Sequence, residues 1–245
     1  MRREFELDSP NGYKISAIAW ECQDPKRQLI CLHGFAGSKR SLVISAVAEM
    51  LVEKNWNIMT FDWPGHGDSP AGSDRLTVDN CLRDLDLIVG ECRKNGLPLS
   101  CFATSFGGYL AMNYHYRNPD VFSSIMLRSP ALRMDHVIRT LLEPAVFEAW
   151  KGGDKLDFGF DRPLVLGYSV YEDIKEHEIF SKPIAGHVSL EIIHGDQDEL
   201  VPVEDSREYA AREGVKLTEV AGADHRYSHA GELEKILEAA DHFLG

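Results

Sequence analysis

Residues 99–108, Leu-Ser-Cys-Phe-Ala-Thr-Ser-Phe-Gly-Gly, constrain the chain more than any other stretch. An apolar, strand-like run collapses at Ser105 between small residues and then turns helical. A serine at the tip of so sharp a strand-to-helix turn leaves almost no volume for side chains two positions before and after it, because neighbouring backbone closes in there. Ala103 and Gly107 supply that clearance. The turn this pattern predicts, a nucleophile elbow, exposes the hydroxyl at the positive end of the following helix. It also frees the Phe106 N–H to donate to an oxyanion. A serine that only caps the helix is the competing reading.

Three more segments bear on that choice. Residues 28–35, Gln-Leu-Ile-Cys-Leu-His-Gly-Phe, form a buried-strand run whose glycine lets the chain turn and bring the Phe35 N–H toward the serine as a second oxyanion donor. Residues 190–202 read as a strand followed by the acidic loop Gly195-Asp196-Gln197-Asp198-Glu199, and residues 220–225 as a strand-end loop carrying His225. Nucleophile, acid and histidine therefore follow one another in the order that sets α/β-hydrolases apart from other serine-hydrolase folds. In such a trio the serine attacks a carbonyl, the imidazole carries its proton, and the carboxylate fixes the imidazole tautomer.

With these motifs, and with Phe61-Asp62-Trp63-Pro64-Gly65-His66-Gly67-Asp68-Ser69 after the next strand, nearly the whole chain resembles the α/β-hydrolase superfamily. The compact length, His-Gly-Phe, Gly-Asp-Gln-Asp-Glu-Leu-Val-Pro and Gly-Ala-Asp-His are most similar to small serine carboxylesterases of the cinnamoyl/feruloyl-esterase and monoacylglycerol-lipase type. One departure is Ala103 where the family's Gly-x-Ser-x-Gly has its first glycine; a single extra methyl reads as a tuned elbow. The resemblance implies Ser105, Asp198 and His225 as catalytic residues, Asp198 being preferred to Asp196 by its position between Gly195 and Val201. Asp196 is expected to cap its own turn. His225 is preferred to His229, which lies nearer the last helix. His33 is expected to orient the oxyanion loop, and His66 and Asp68 to hydrogen-bond within theirs. The implied reaction is hydrolysis of a small carboxylic ester through an acyl-enzyme, with aryl (cinnamoyl-type) or short to medium acyl groups. Thioesterase, proline-iminopeptidase-like peptidase and carbon–carbon hydrolase are the alternatives within the class, and a non-catalytic ligand-binding member lies outside it.

The remainder alternates strand and helix patterns, as a mostly parallel sheet covered on both faces requires. Residues 3–8 and 13–22 predict a hairpin about Ser9-Pro10-Asn11-Gly12, and six further strands fall near 28–33, 56–61, 99–104, 123–128, 188–193 and 215–220. An eight-stranded α/β sheet in one domain, residues 1–245, follows. Apolar residues recur at helical spacing in 78–94 and again from Leu233 to Ala240. Between two strands, residues 131 to about 186 are far longer than a crossover needs and rich in aromatics. They predict a cap over the carboxyl ends of the strands. Most of those aromatics suit the cap's own core; Tyr168 is the candidate substrate contact, by resemblance to cinnamoyl esterases.

Composition narrows the partners. A formal charge of −13 from 26 basic and 39 acidic residues argues against nucleic acid and anionic membranes. No apolar segment stands behind the charged N-terminus and no run approaches a membrane span, so a cytoplasmic protein, monomeric or homodimeric, is expected. The five cysteines are expected to be reduced and structural. No cofactor is called for: the glycines around His66 lack dinucleotide spacing, and His194 with its acidic neighbours lacks the second histidine cluster a metal site needs.

Overall fold

The computed structural model describes residues 1–160 and 162–245. Strands β1 (Arg2–Asp8) and β2 (Lys14–Trp20) pair antiparallel about the expected turn. There the Asn11 N–H donates to the Ser9 hydroxyl at 3.0 Å, and Gly12 takes φ 83°, a conformation that disfavours a side chain. Strands and helices then alternate: β3 (Arg27–Leu32), α1 (Leu42–Val52), β4 (Trp56–Phe61), α2 (Val78–Arg93), β5 (Leu99–Thr104), α3 (Phe106–Arg117) and β6 (Ser124–Arg128). After the long segment come β9 (Ser189–Gly195), α7 (Val203–Glu213), β10 (Lys216–Val220) and α8 (Glu232–Leu244).

The sheet runs β1-β2-β4-β3-β5-β6-β9-β10, with β2 antiparallel to both its neighbours and every later pairing parallel. This is the eight-stranded α/β arrangement the sequence predicts. Its central strands are apolar throughout because both faces are covered. Ile30, Leu32, Cys101, Ala103, Ile125 and Leu127 turn toward α2 and α3, while Leu29, Cys31, Phe102, Met126 and Ile193 turn toward α1 and α8. Helix α2 begins where the Thr77 hydroxyl accepts from the Asn80 N–H, and it buries Val78, Cys81, Leu82, Leu85, Ile88, Val89 and Cys92. All five cysteines are free, and only Cys22 is partly exposed.

Residues 131–186 fold as α4 (Met134–Leu141), α5 (Pro144–Lys151), a two-stranded hairpin of β7 (Leu156–Asp157) and β8 (Val165–Leu166), and α6 (Ser169–Glu176), with position 161 outside the described residues. Trp150 is fully buried at their centre and donates Nε1–H to the Leu166 carbonyl at 2.9 Å. Phe147, Phe158, Tyr168 and Tyr171 surround it edge to face or tilted. The segment is tied to the body by the Tyr109 hydroxyl, which donates to the Ile174 and His177 carbonyls at 3.1 Å, and by Asp173, which accepts from the Val78 N–H at 2.7 Å. Among the described residues no helix is long and apolar enough to cross a membrane.

Candidate active site

Ser105 stands between β5 and α3 with φ 51° and ψ −118°, a left-handed conformation costly for a side-chain-bearing residue. Its surroundings hold it there. A Cβ on Gly107 would lie 2.6 Å from both the Leu32 and His33 carbonyl oxygens, so the end of β3 presses directly on the elbow. A Cβ on Gly34 would lie 3.1 Å from the Ser105 Cβ. The Ser105 N–H donates to the Arg128 carbonyl at 3.0 Å, and its own carbonyl accepts from Gly108 and Tyr109. The clearance read from Ala103-x-Ser105-x-Gly107 thus has a specific cause on one side: backbone of the neighbouring strand.

The hydroxyl meets a histidine and a carboxylate from two other strand ends. His225 Nε2 lies 3.1 Å from Ser105 Oγ, and His225 Nδ1 lies 2.7 Å from Asp198 Oδ2. Asp198 Oδ1 accepts the Leu200 and Val201 N–H groups at 3.0 and 2.7 Å, so the carboxylate is locked in its own turn. Burial alone would raise its pKa; hydrogen bonds from His194 and His225 outweigh that and hold the carboxyl far below the usual carboxylate range. The loops after β9 and β10 can meet because residue 195 is glycine: a Cβ there would lie 2.3 Å from the Ala223 carbonyl oxygen. Asp196 does not cap the backbone of its own turn; its Oδ1 accepts from the Gly222 N–H of the neighbouring loop at 2.7 Å and staples the two loops together. His229 pairs with Glu232 on the exposed start of α8.

Sequence reasoning weighed His194 only as a metal ligand. It is fully buried, and its Nε2–H is shared between the Val201 carbonyl and Asp198 Oδ2, both at 3.1 Å, while Nδ1 lies 2.7 Å from the Ser206 hydroxyl. A carbonyl can only accept, so Nε2 carries the proton and the imidazole supplies the carboxylate with a second donor. Its spacing of four residues before Asp198 was the available signal.

The Phe35 and Phe106 N–H groups flank Ser105 from the β3 loop and from the first residue of α3, and neither finds an acceptor among the described residues. The Phe35 ring sits edge-on to Phe106, 5.2 Å between centroids, which fixes the loop carrying its amide. His33 steadies the same loop: Trp63 N–H donates to its Nε2 at 3.4 Å, leaving Nδ1–H for the Gly34 carbonyl at 2.8 Å. Burial lowers the His33 pKa and favours this neutral form. His66 donates Nδ1–H to the Pro64 carbonyl within its loop, as expected. The Asp68 N–H donates to Asp62 Oδ2 at 2.8 Å within the loop, as expected, while its side chain reaches outward to Lys39 Nζ and Arg40, because Lys39 is fully buried and needs both Asp62 and Asp68 as counter-charges.

Ser105 and His225 open on a cavity of about 850 Å³. Met134, Val137, Ile138, Leu141, Phe158 and Leu164 of the 131–186 segment form one wall of it. Tyr168 is not among the lining residues. It packs between Phe147, Trp150 and Tyr171 with centroids 5.3–5.7 Å apart, so the substrate contact read for it gives way to a place in the segment's own aromatic core.

The sequence matches the family described as Serine aminopeptidase, S33, over residues 23–152. The chain belongs to that family of α/β-hydrolases. Among curated proteins, this hydrolase is 24% identical to a monoacylglycerol lipase of Mycolicibacterium smegmatis, over 97% of the chain and 95% of the relative. It is 21% identical to a mitochondrial palmitoyl-protein thioesterase of Bos taurus, over 88% of the chain and 72% of the relative. Among solved structures, Est1E of Butyrivibrio proteoclasticus, with ferulic acid bound, superposes with a TM-score of 0.86 at 26% identity, covering 98% of this chain and 97% of that one. The resemblance to α/β-hydrolase serine esterases read from the motifs therefore stands.

Proposed function

We propose that this hydrolase cleaves carboxylic esters of small molecules through an acyl-enzyme on Ser105. The observation that carries the reading is the continuous hydrogen-bonded line from Ser105 Oγ through His225 to Asp198. Ser105 Oγ attacks the ester carbonyl as His225 Nε2 takes its proton, and the ionised Asp198 accepts from Nδ1–H and stabilises the imidazolium as it forms. The carbonyl oxygen, now negative, receives the free Phe35 and Phe106 N–H groups. Collapse breaks the bond to the alcohol, which leaves with the proton from His225. Water, deprotonated by the same imidazole, then releases the acid and restores the serine. The apolar side chains of Met134, Val137, Ile138, Leu141, Phe158 and Leu164, beside an Arg162 bonded to the Gly67 and Ser69 carbonyls, suit an aliphatic or aryl acyl group, and residues 131–186 act as a cap over it.

Ester is favoured over peptide by the charge of the cavity. An aminopeptidase needs a carboxylate for the substrate ammonium, and the one acidic side chain among the described lining residues, Asp68, is already paired with Lys39 and Arg40. Thioester cleavage uses the same line of residues and is the second reading, supported by the thioesterase relative.

A serine-directed phosphonate should label the protein once, on Ser105. Ser105→Ala should lower ester turnover by about 10³- to 10⁶-fold, leaving what binding and the oxyanion donors provide. Ester turnover unchanged in that variant would sink the proposal.

A further inference from the structure

The cavity has a second arm. This is the part lined by Leu42 and Val43 of α1, Leu233 and Ile236 of α8, and Tyr227, and Arg128 belongs to the same lining. Arg128 ends β6 and points to the α1/α8 face of the sheet, as Met126 does two residues earlier. It is 7% exposed. No carboxylate among the described residues lies within ion-pair distance of it, and Asp198 and Asp224 act on it from farther away. Its guanidinium lies over the Tyr227 ring, 4.5 Å from the centroid, and Nη2 donates to the His225 carbonyl. Nε is enclosed without a partner. Nη1 has no acceptor among the described residues and is not enclosed, so it faces the cavity.

A buried cation whose counter-charges, Asp198 and Asp224, stand beyond ion-pair distance keeps N–H groups to offer an anion that approaches it directly. Holding the His225 carbonyl uses one of five N–H bonds, and a neutral donor would serve that end. We propose that Arg128 is the anchor for a carboxylate or comparable anion carried by the substrate, seated in the arm between α1 and α8. The inference deepens the ester-hydrolase reading and rests on it for the chemistry of the rest of the substrate. An arginine presents the anion with a charge-assisted hydrogen bond at a fixed distance from the elbow, because Ser105 N–H is itself bonded to the Arg128 carbonyl at 3.0 Å. Leu42, Val43, Leu233 and Ile236 put apolar surface beside the guanidinium, which strengthens its selection of an anion over a neutral group of the same size.

Two substrate pairs test this and separate the acyl from the alcohol side. One is 4-nitrophenyl hemiglutarate against its methyl ester; the other is 4-(butanoyloxy)benzoate against its methyl ester. In one of the two pairs kcat/KM should favour the anion by at least about tenfold. Arg128→Met should abolish that preference, and Arg128→Lys should keep part of it. Calorimetric titration of the wild-type protein with glutarate gives a readout that needs no turnover, with binding expected and lost in Arg128→Met. If no ester is cleaved while glutarate still binds through Arg128, the ester reading fails and the anion site stands. A preference for the neutral ester in both pairs, or an anion preference and glutarate affinity unchanged by Arg128→Met, would overturn the proposal. Should Arg128→Met not fold, the wild-type pairs and Arg128→Lys still decide it.

Discussion

The two walls of the cavity are built by different physics. At the strand ends, Ser105, Asp198 and His225 are held by backbone: a strained elbow, two glycines whose Cβ would collide with carbonyls, and a carboxylate locked by two amides of its own turn. Across from them, residues 131–186 are held by side chains, four aromatic rings around Trp150 and a few bonds to the body. Backbone constraints fix positions to a fraction of an ångström and tolerate no substitution of one atom type for another. Aromatic packing fixes a volume and accepts exchange at the cost of stability. Substitutions should therefore separate the two walls: rate on one side, stability and substrate size on the other.

The sharpest test of that separation is the pair of acids. Asp198→Asn should reduce turnover by about 10⁴-fold, since an amide in that place favours the wrong imidazole tautomer. Asp196→Asn should leave turnover near wild type and loosen the two loops it joins, lowering Tm. An inactive Asp196→Asn beside an active Asp198→Asn would show the wrong acid has been assigned. On the other wall, Trp150→Ala should destabilise the protein by about 3–5 kcal/mol, measured by denaturant unfolding, as a buried ring is replaced by a cavity. In the fraction that stays folded, kcat for a short acyl ester should change little. A collapse of kcat without a loss of stability would break the contrast.

Acid should weaken the loop after β4 that carries His66. Burial pushes His66 down to about 3 from an ordinary 6.5, so the unfolded chain binds a proton at pH values where the folded one does not. Its stabilising contribution is therefore complete above the unfolded pKa and is lost as pH falls from about 6.5 toward 3. His66→Gln should flatten the decline in unfolding free energy across that window. An unchanged slope would assign the acid sensitivity elsewhere. The smallest effect is expected at Tyr168→Phe: hydroxylated and unsubstituted aryl esters should respond equally, because the ring belongs to the packed cluster. A selective loss for the hydroxylated ester would restore Tyr168 to the cavity.

Sequence reading missed the short β7 and β8 but located the elbow, the order of the site residues, the eight strands of the main sheet and the helix over 78–94, because each of these rests on near neighbours: side-chain period, turn residues and the volume around one serine. It proposed Phe35 and Phe106 as oxyanion donors for the same reason, since an elbow and a His-Gly turn are local features. It misjudged Tyr168, missed the outward ion pairs of Asp68 beyond its bond within the loop, and gave His194 and Arg128 no part in the site. Each of these depends on what another segment brings alongside. Asp68 answers to a lysine buried 29 positions earlier, and Arg128 to a carbonyl 97 positions later.

The division between sequence and tertiary structure follows from distance along the chain. Local pattern determined that this protein would be a mostly parallel α/β sheet with a serine at a strained turn, because backbone sterics and hydrophobic period act over a few residues. Only the tertiary structure decided which carboxylate the histidine meets, since His225 stands 27 positions from Asp198 and 120 from Ser105. The same holds for the cavity. Its two arms exist where residues 131–186, α1 and α8 close around the strand ends, and their chemistry, apolar on one side and with a buried cation on the other, is a property of elements that share no sequence neighbourhood.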